Sequence, residues 1–160
     1  HTHKVQEQIY HVLDGEGLAW VEEPTLANDF AGHARVAREA ATPIQAGENW
    51  WFPRGFAEAI AAGASDFIMP DVMKCGGVTG WLQVAAQAEA ANIPVSSHLF
   101  AEASAHLLAV TPTAHWLEFL DFASVILVHP TKVVDGTVTA RGPGLGMEWD
   151  EAAVTKYLVT

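Results

Sequence analysis

The sequence has a single cysteine, Cys75, and its lysines and arginines number only 8 against 19 aspartates and glutamates. One cysteine excludes an internal disulfide framework and a cysteine-rich zinc site, and it fits a reducing compartment. A formal net charge of −11 argues against a nucleic-acid partner, because binding a phosphate backbone needs clustered cations. No run of about 18 apolar residues is present, so no membrane partner is expected. No basic and apolar leader pattern opens the sequence either, so a soluble, cytoplasmic protein is expected. What is abundant is hydrophobic: half of the 160 residues, enough to build the core of one ordinary domain.

Short apolar runs that end in polar groups recur along the chain: "LAWVEE" (18–23), "PIQAGEN" (43–49), "DFIMPD" (66–71), "IPVSSH" (93–98) and "HWLEFLD" (115–121). Between them lie alanine-rich stretches with apolar residues three and four apart, "DFAGHARVAREAA", "PRGFAEAIAAG", "GWLQVAAQAEAAN" and "EASAHLLAVT". This alternation predicts an α/β fold with about five parallel strands and right-handed helical crossovers. Glu22, Glu48, Asp71, His98 and Glu118 follow one another at intervals of 26, 23, 27 and 20 residues. A pitch of about 25 to 30 residues is that of one strand and helix in an eight-unit barrel. The strand ends of such a barrel share one mouth, so these five residues are predicted to gather there. After residue 125 the texture changes: "KVVDGTVTA" reads as a hairpin around Asp135 and Gly136, followed by a Pro/Gly loop and a short helix from near Asp150. This tail either closes over the barrel or joins a second domain.

Several carboxylates converging with a histidine repel one another unless a cation or protons compensate, and oxygen donors favour Mg²⁺ or Mn²⁺ over zinc. Glu22, or its neighbour Glu23, and Glu48 are the candidate ligands, from strand ends about 5 Å apart. Asp71 and His98 come from the next adjacent pair of strands. There the carboxylate can fix the imidazole tautomer, making His98 a candidate general base. Glu118 could meet the same substrate. Taken singly, a strand-end glutamate is ordinarily solvated and a lone histidine ordinarily structural; it is their common phase that argues for chemistry. His33, His106 and His115 read as structural, and Cys75 as packing. "GPGLG" (142–146) lacks the strand and helix context of a dinucleotide fingerprint. Trp50 and Trp51 fit either the core or the mouth.

"WVEEPT", "QAGEN", "MPDVMKCGGVTGW", "PVSSHLF" and "SAHLLAVTPTAHWLE" together resemble the mandelate racemase subgroup of the enolase superfamily, densely over residues 18–121 and more loosely through "PGLGMEWDEAAVTKYLV". The resemblance implies the C-terminal portion of a modified (β/α)7β TIM-type barrel, with residues 1–125 running from the helix after the third strand through the eighth strand. Residues 126–160 would pack on the barrel or on a capping domain. It implies Mg²⁺ held by three carboxylates, with Glu22 and Glu48 as the second and third, an Asp71–His98 catalytic dyad, and Glu118 as the acid facing the substrate carboxylate. The reaction implied is abstraction of the proton α to a carboxylate through an enediolate. Racemisation of a 2-hydroxy acid such as mandelate is the first expectation, dehydration of an acid sugar the second, and an inactive truncated or metal-dead fragment the third. A small-molecule carboxylate substrate and a homo-oligomer are likewise implied. The family's Lys-x-Lys motif and first metal ligand do not appear in the sequence, and "HKVQEQIYHVLDGEG" resembles the helix after the third strand. The capping domain and first three strands are therefore expected to lie outside these residues, and the 160 residues alone to be inactive.

Overall fold

The computed structural model describes residues 20–159. The helix expected from "HKVQEQIYHVLDGEG" lies outside the described residues. Three strands form a parallel sheet in sequence order, β1 (Val21–Glu22), β2 (Ile44–Ala46) and β3 (Phe67–Ile68), with Val21 opposite Ile44 and Gln45 opposite Phe67. Single parallel bridges extend the arc, Ile68 to Val95, Asp71 to His98, and Val95 to Ala114. The α/β architecture with parallel strands holds, but only three of the five expected strands are regular. Proline accounts for part of this. Pro70 and Pro94 have no N–H to donate, so they serve the ladder only through their carbonyls, to His98 and Ile68.

Each crossover is a helix with a legible start or stop. Asp29 caps α1 (Phe30–Glu39) by accepting from the Gly32 N–H at 2.9 Å. Pro53 sits in the first turn of α2 (Phe52–Ala62), and Gly63 ends it in the left-handed conformation. Gly76 opens α3 (Gly77–Ala91) and Asn92 closes it, both left-handed. The helix α4 (Ala101–Leu108) follows His98 after only two residues. In the tail, the Val134–Thr137 turn and α5 (Glu151–Lys156), capped by Asp150, appear where the sequence places them.

The core fills the space between the arc and its helices, where α2 packs on both α1 and α3. Phe56, Ile68, Trp81, Val84 and Val95 are fully buried there. Trp81 meets its one polar need by donating from Nε1 to Thr111 Oγ1 at 3.0 Å. Trp50 belongs to the same core, stacked edge-on against Phe30 and Phe56 at 5.8 and 5.3 Å, whereas its neighbour Trp51 is exposed. All three residues of β2 are buried, which gives the sheet two covered faces. Ala46 joins the helix-side core, while Gln45 turns to the opposite face and meets Glu22. That face carries the candidate chemistry. Among the described residues no helix is long and apolar enough to cross a membrane.

Candidate active site

The end of β3 and the segment after α3 run side by side, and their parallel bridge joins Asp71 directly to His98. Asp71 Oδ2 lies 2.8 Å from His98 Nδ1. Its other oxygen, Oδ1, accepts from the Met73 N–H at 2.7 Å, and its carbonyl accepts from the Lys74 and Cys75 N–H groups. Asp71 is thus fixed by its own turn and is only 3% exposed, so its orientation is set before anything binds. A carboxylate on Nδ1 favours the tautomer with the proton on that nitrogen and leaves Nε2 for proton exchange.

His98 Nε2 lies 3.2 Å from Glu48 Oε2. The imidazole therefore sits between two carboxylates, and it donates to both only as the imidazolium. Glu48 follows β2 through Gly47, whose φ of 136° suits glycine. Its Oε1 accepts from Asn49 Nδ2 at 2.8 Å, and the same amide nitrogen donates to Glu23 Oε2 at 2.8 Å. Lys74 Nζ donates to Asn49 Oδ1 at 2.9 Å. Glu23 also accepts from the Gly47 and Asn49 N–H groups. Of the two adjacent glutamates, Glu23 braces the loop that carries Glu48, while Glu22 points into the arc.

Among the described residues, Glu22 Oε2 accepts only long hydrogen bonds, from Trp20 Nε1 at 3.3 Å and Gln45 Nε2 at 3.4 Å. Burial raises its carboxyl pKa above the ordinary value; those two bonds oppose the shift, and the Glu48 and Glu118 charges reinforce it. Glu22 and Glu118 line one cavity of about 210 Å³ with Gln45, Ser96, Ser97 and Trp116. Glu118 is held there by two contacts: its N–H donates to Ser97 Oγ at 3.0 Å, and its Oε2 accepts from the Leu99 N–H at 2.9 Å. The five strand-end residues fall into two groups: Asp71, His98 and Glu48 joined by direct contacts, and Glu22 and Glu118 lining one cavity, with the Glu48 charge felt at Glu22.

The chain matches the family model described as "Enolase C-terminal domain-like" over residues 4–153. It belongs to the enolase C-terminal domain-like family. Among curated relatives, the 3,6-anhydro-alpha-L-galactonate cycloisomerase of Streptomyces coelicolor is 38% identical over 83% of this chain and 37% of its own length. The L-talarate/galactarate dehydratase of Salmonella typhimurium is 32% identical over 85% of this chain and 34% of its own length. A solved Bradyrhizobium enolase complexed with magnesium and mandelic acid is 68% identical, covering 88% of this chain and 39% of that one, with a TM-score of 0.86. The chain spans well under half the length of the curated relatives it matches, 37% and 34% for these two.

Magnesium, bound in that Bradyrhizobium structure, fits the residues of this chain in part. The donor chemistry fits: Glu22 is a desolvated carboxylate with like charges nearby and only long hydrogen bonds, a setting that a hard cation relieves. The donor count is partial, since among the described residues no group of three or more potential ligands is close enough to hold a metal ion.

Other titratable groups fit structural roles. His115 stacks on Phe67 at 4.7 Å with its pKa lowered by burial, and the buried Cys75 thiol is pushed up to about 11, chiefly by burial. Asn49 and Lys74 carry no motif signal for this site in the sequence. The one cue to Asn49 is its position directly after a strand-end carboxylate, and Lys74 had none.

Proposed function

We propose that these residues form part of a metal-dependent active site that removes the proton α to a carboxylate, and that the preferred reaction is racemisation of a 2-hydroxy acid such as mandelate. The observation that carries the reading is the 2.8 Å Asp71–His98 hydrogen bond at adjacent strand ends. Asp71 keeps the Nδ1 proton in place, His98 Nε2 takes the substrate proton, and the Asp71 carboxylate stabilises the imidazolium that results. Glu118, with Oε1 outside its bond to Leu99, is positioned to share a proton with the substrate carboxylate as negative charge builds there. Glu22 and Glu48 would hold Mg²⁺, or Mn²⁺, which supplies Lewis-acid stabilisation of the enediolate charge. The mandelate complex of the 68% identical Bradyrhizobium protein supports the choice of substrate.

A second reading, dehydration of an acid sugar by the same base, is favoured by the 32% identical Salmonella dehydratase and by the polar cavity wall of Gln45, Ser96 and Ser97. Both readings concern the full chain. With two carboxylate donors among the described residues, the 160-residue polypeptide alone is expected to be inactive.

Incubating the full protein in D2O with Mg²⁺ and either mandelate or galactarate, followed by proton NMR, separates the readings. Loss of the α-proton signal of mandelate without a new product supports racemisation. A dehydrated keto acid formed from galactarate supports the second reading. No exchange from either acid, with or without EDTA treatment and metal reloading, contradicts both.

A further inference from the structure

We propose that Ser104 is a positioning residue for His98, acting through a strained turn; the inference rests on the reading of His98 as a base. Leu99 and Phe100, the two residues after His98, are consecutive non-glycine residues in the left-handed region, at φ of 51° and 46°. Each brings Cβ close to its neighbouring carbonyl, so such a pair persists only where the surroundings over-determine it. Ser104 does much of that work. Its Oγ donates to the Leu99 carbonyl at 2.8 Å, and its backbone N–H donates to the Phe100 carbonyl at 2.8 Å. The hydroxyl thereby holds the Leu99 carbonyl, while the Phe100 carbonyl takes the first-turn bonds of α4 from the Ala103 and Ser104 N–H groups. From the other side, the Leu99 N–H is taken by Glu118 Oε2 at 2.9 Å.

Ser104 is fully buried in α4, and Leu107 on the same helix belongs to the main core, so the hydroxyl is anchored to a rigid support. A hydroxyl that reaches back to a carbonyl outside its own helix contributes nothing to the helix ladder, which points to a role in the turn. The turn matters to His98 because the strand holds that residue loosely. The His98 N–H reaches the Pro70 carbonyl at 3.3 Å, the longest of the backbone bonds linking this segment to its neighbours. With the Leu99 carbonyl released, the turn can relax toward ordinary backbone angles and rotate His98 relative to Asp71. Ser104 does not line the cavity, so this effect reaches substrate only through His98.

The test compares wild type, Ser104→Ala and Ser104→Cys in the full protein, reading mandelate α-proton exchange in D2O together with Mg²⁺ affinity by calorimetry. Cysteine keeps the shape of serine with a slightly larger, weakly donating group, so it removes the strong hydrogen bond without leaving a cavity and still serves if the alanine variant does not fold. Both variants should lower kcat for exchange about 10-fold while leaving KM and the Mg²⁺ Kd within about two-fold. Exchange at the wild-type rate in the cysteine variant, or a fall in Mg²⁺ affinity parallel to the fall in exchange, overturns the role given to Ser104. Absence of exchange in the wild type instead overturns the reading of His98, and the inference falls with it.

Discussion

Asp71 gives one carboxylate oxygen to the Met73 N–H and the other to His98. Replacing it by asparagine keeps the size and one acceptor but weakens the preference for a proton on Nδ1. Asp71→Asn should therefore lower kcat by about 10²- to 10⁴-fold with little change in KM, measured as α-proton exchange. His33 represents a different kind of buried histidine. It is fully buried in α1 against Trp50, and among the described residues neither ring nitrogen has a hydrogen-bond partner. Burial lowers its pKa below the ordinary 6.5, with the Glu23 and Asp29 charges pulling the other way. Its folded-state pKa lies below the unfolded one, so the stability it contributes is present above about pH 6.5 and is lost as pH falls through the folded value. His33→Phe should flatten that acid-side loss. Urea denaturation at pH 5 and 7.5 checks this: wild type should lose more stability on acidification than the variant does. The contrast between these residues was only partly legible in the sequence. Phase alone placed Asp71 and His98 at one mouth and left His33 inside a helix. Nothing in "WVEEP" told Glu22 from Glu23, because which of two neighbours faces inward depends on the local turn, and Glu23 turns at φ 40°.

Gly47 connects β2 to the loop that carries Glu48, and its backbone is in a region side chains avoid. An added Cβ would lie 3.1 Å from the Met69 backbone nitrogen and 3.2 Å from the Phe56 ring. Gly47→Ala should thus cost about 1 to 3 kcal/mol of stability, read from the urea midpoint, and displace Glu48. A glycine directly before a strand-end carboxylate is a sequence mark of close approach; what it approaches depends on how β3 and α2 pack. The same limit holds for the other elements. Helix starts and stops at Asp29, Gly63, Asn92 and Asp150 follow from local chemistry that the sequence states directly. Strand regularity does not, because it depends on which N–H groups find partners on another segment. The segments around Val95 and Ala114 join the arc through isolated parallel bridges and not as regular strands. The consecutive left-handed pair Leu99 and Phe100 has no sequence cue at all, since both are residues that normally avoid that region.

At the scale of the whole molecule, the repeating 20- to 27-residue spacing of polar strand ends anticipated the parallel arc, because a barrel's geometry repeats with its strand and helix units. The arc collects groups that carry a net negative charge around a small cavity, a grouping that favours a cation and a charge-bearing substrate together. No one of these residues is sufficient alone, and the proposed reaction depends on His98 acting as the base among them. The most direct measurement is face-resolved exchange in D2O of the separate mandelate enantiomers by the full protein, wild type against His98→Asn. Exchange of one enantiomer's α-proton should disappear in the variant, while exchange of the other, whose proton lies on the face away from His98, persists. Equal loss from both enantiomers, or exchange of both at the wild-type rate, would contradict the assignment of His98.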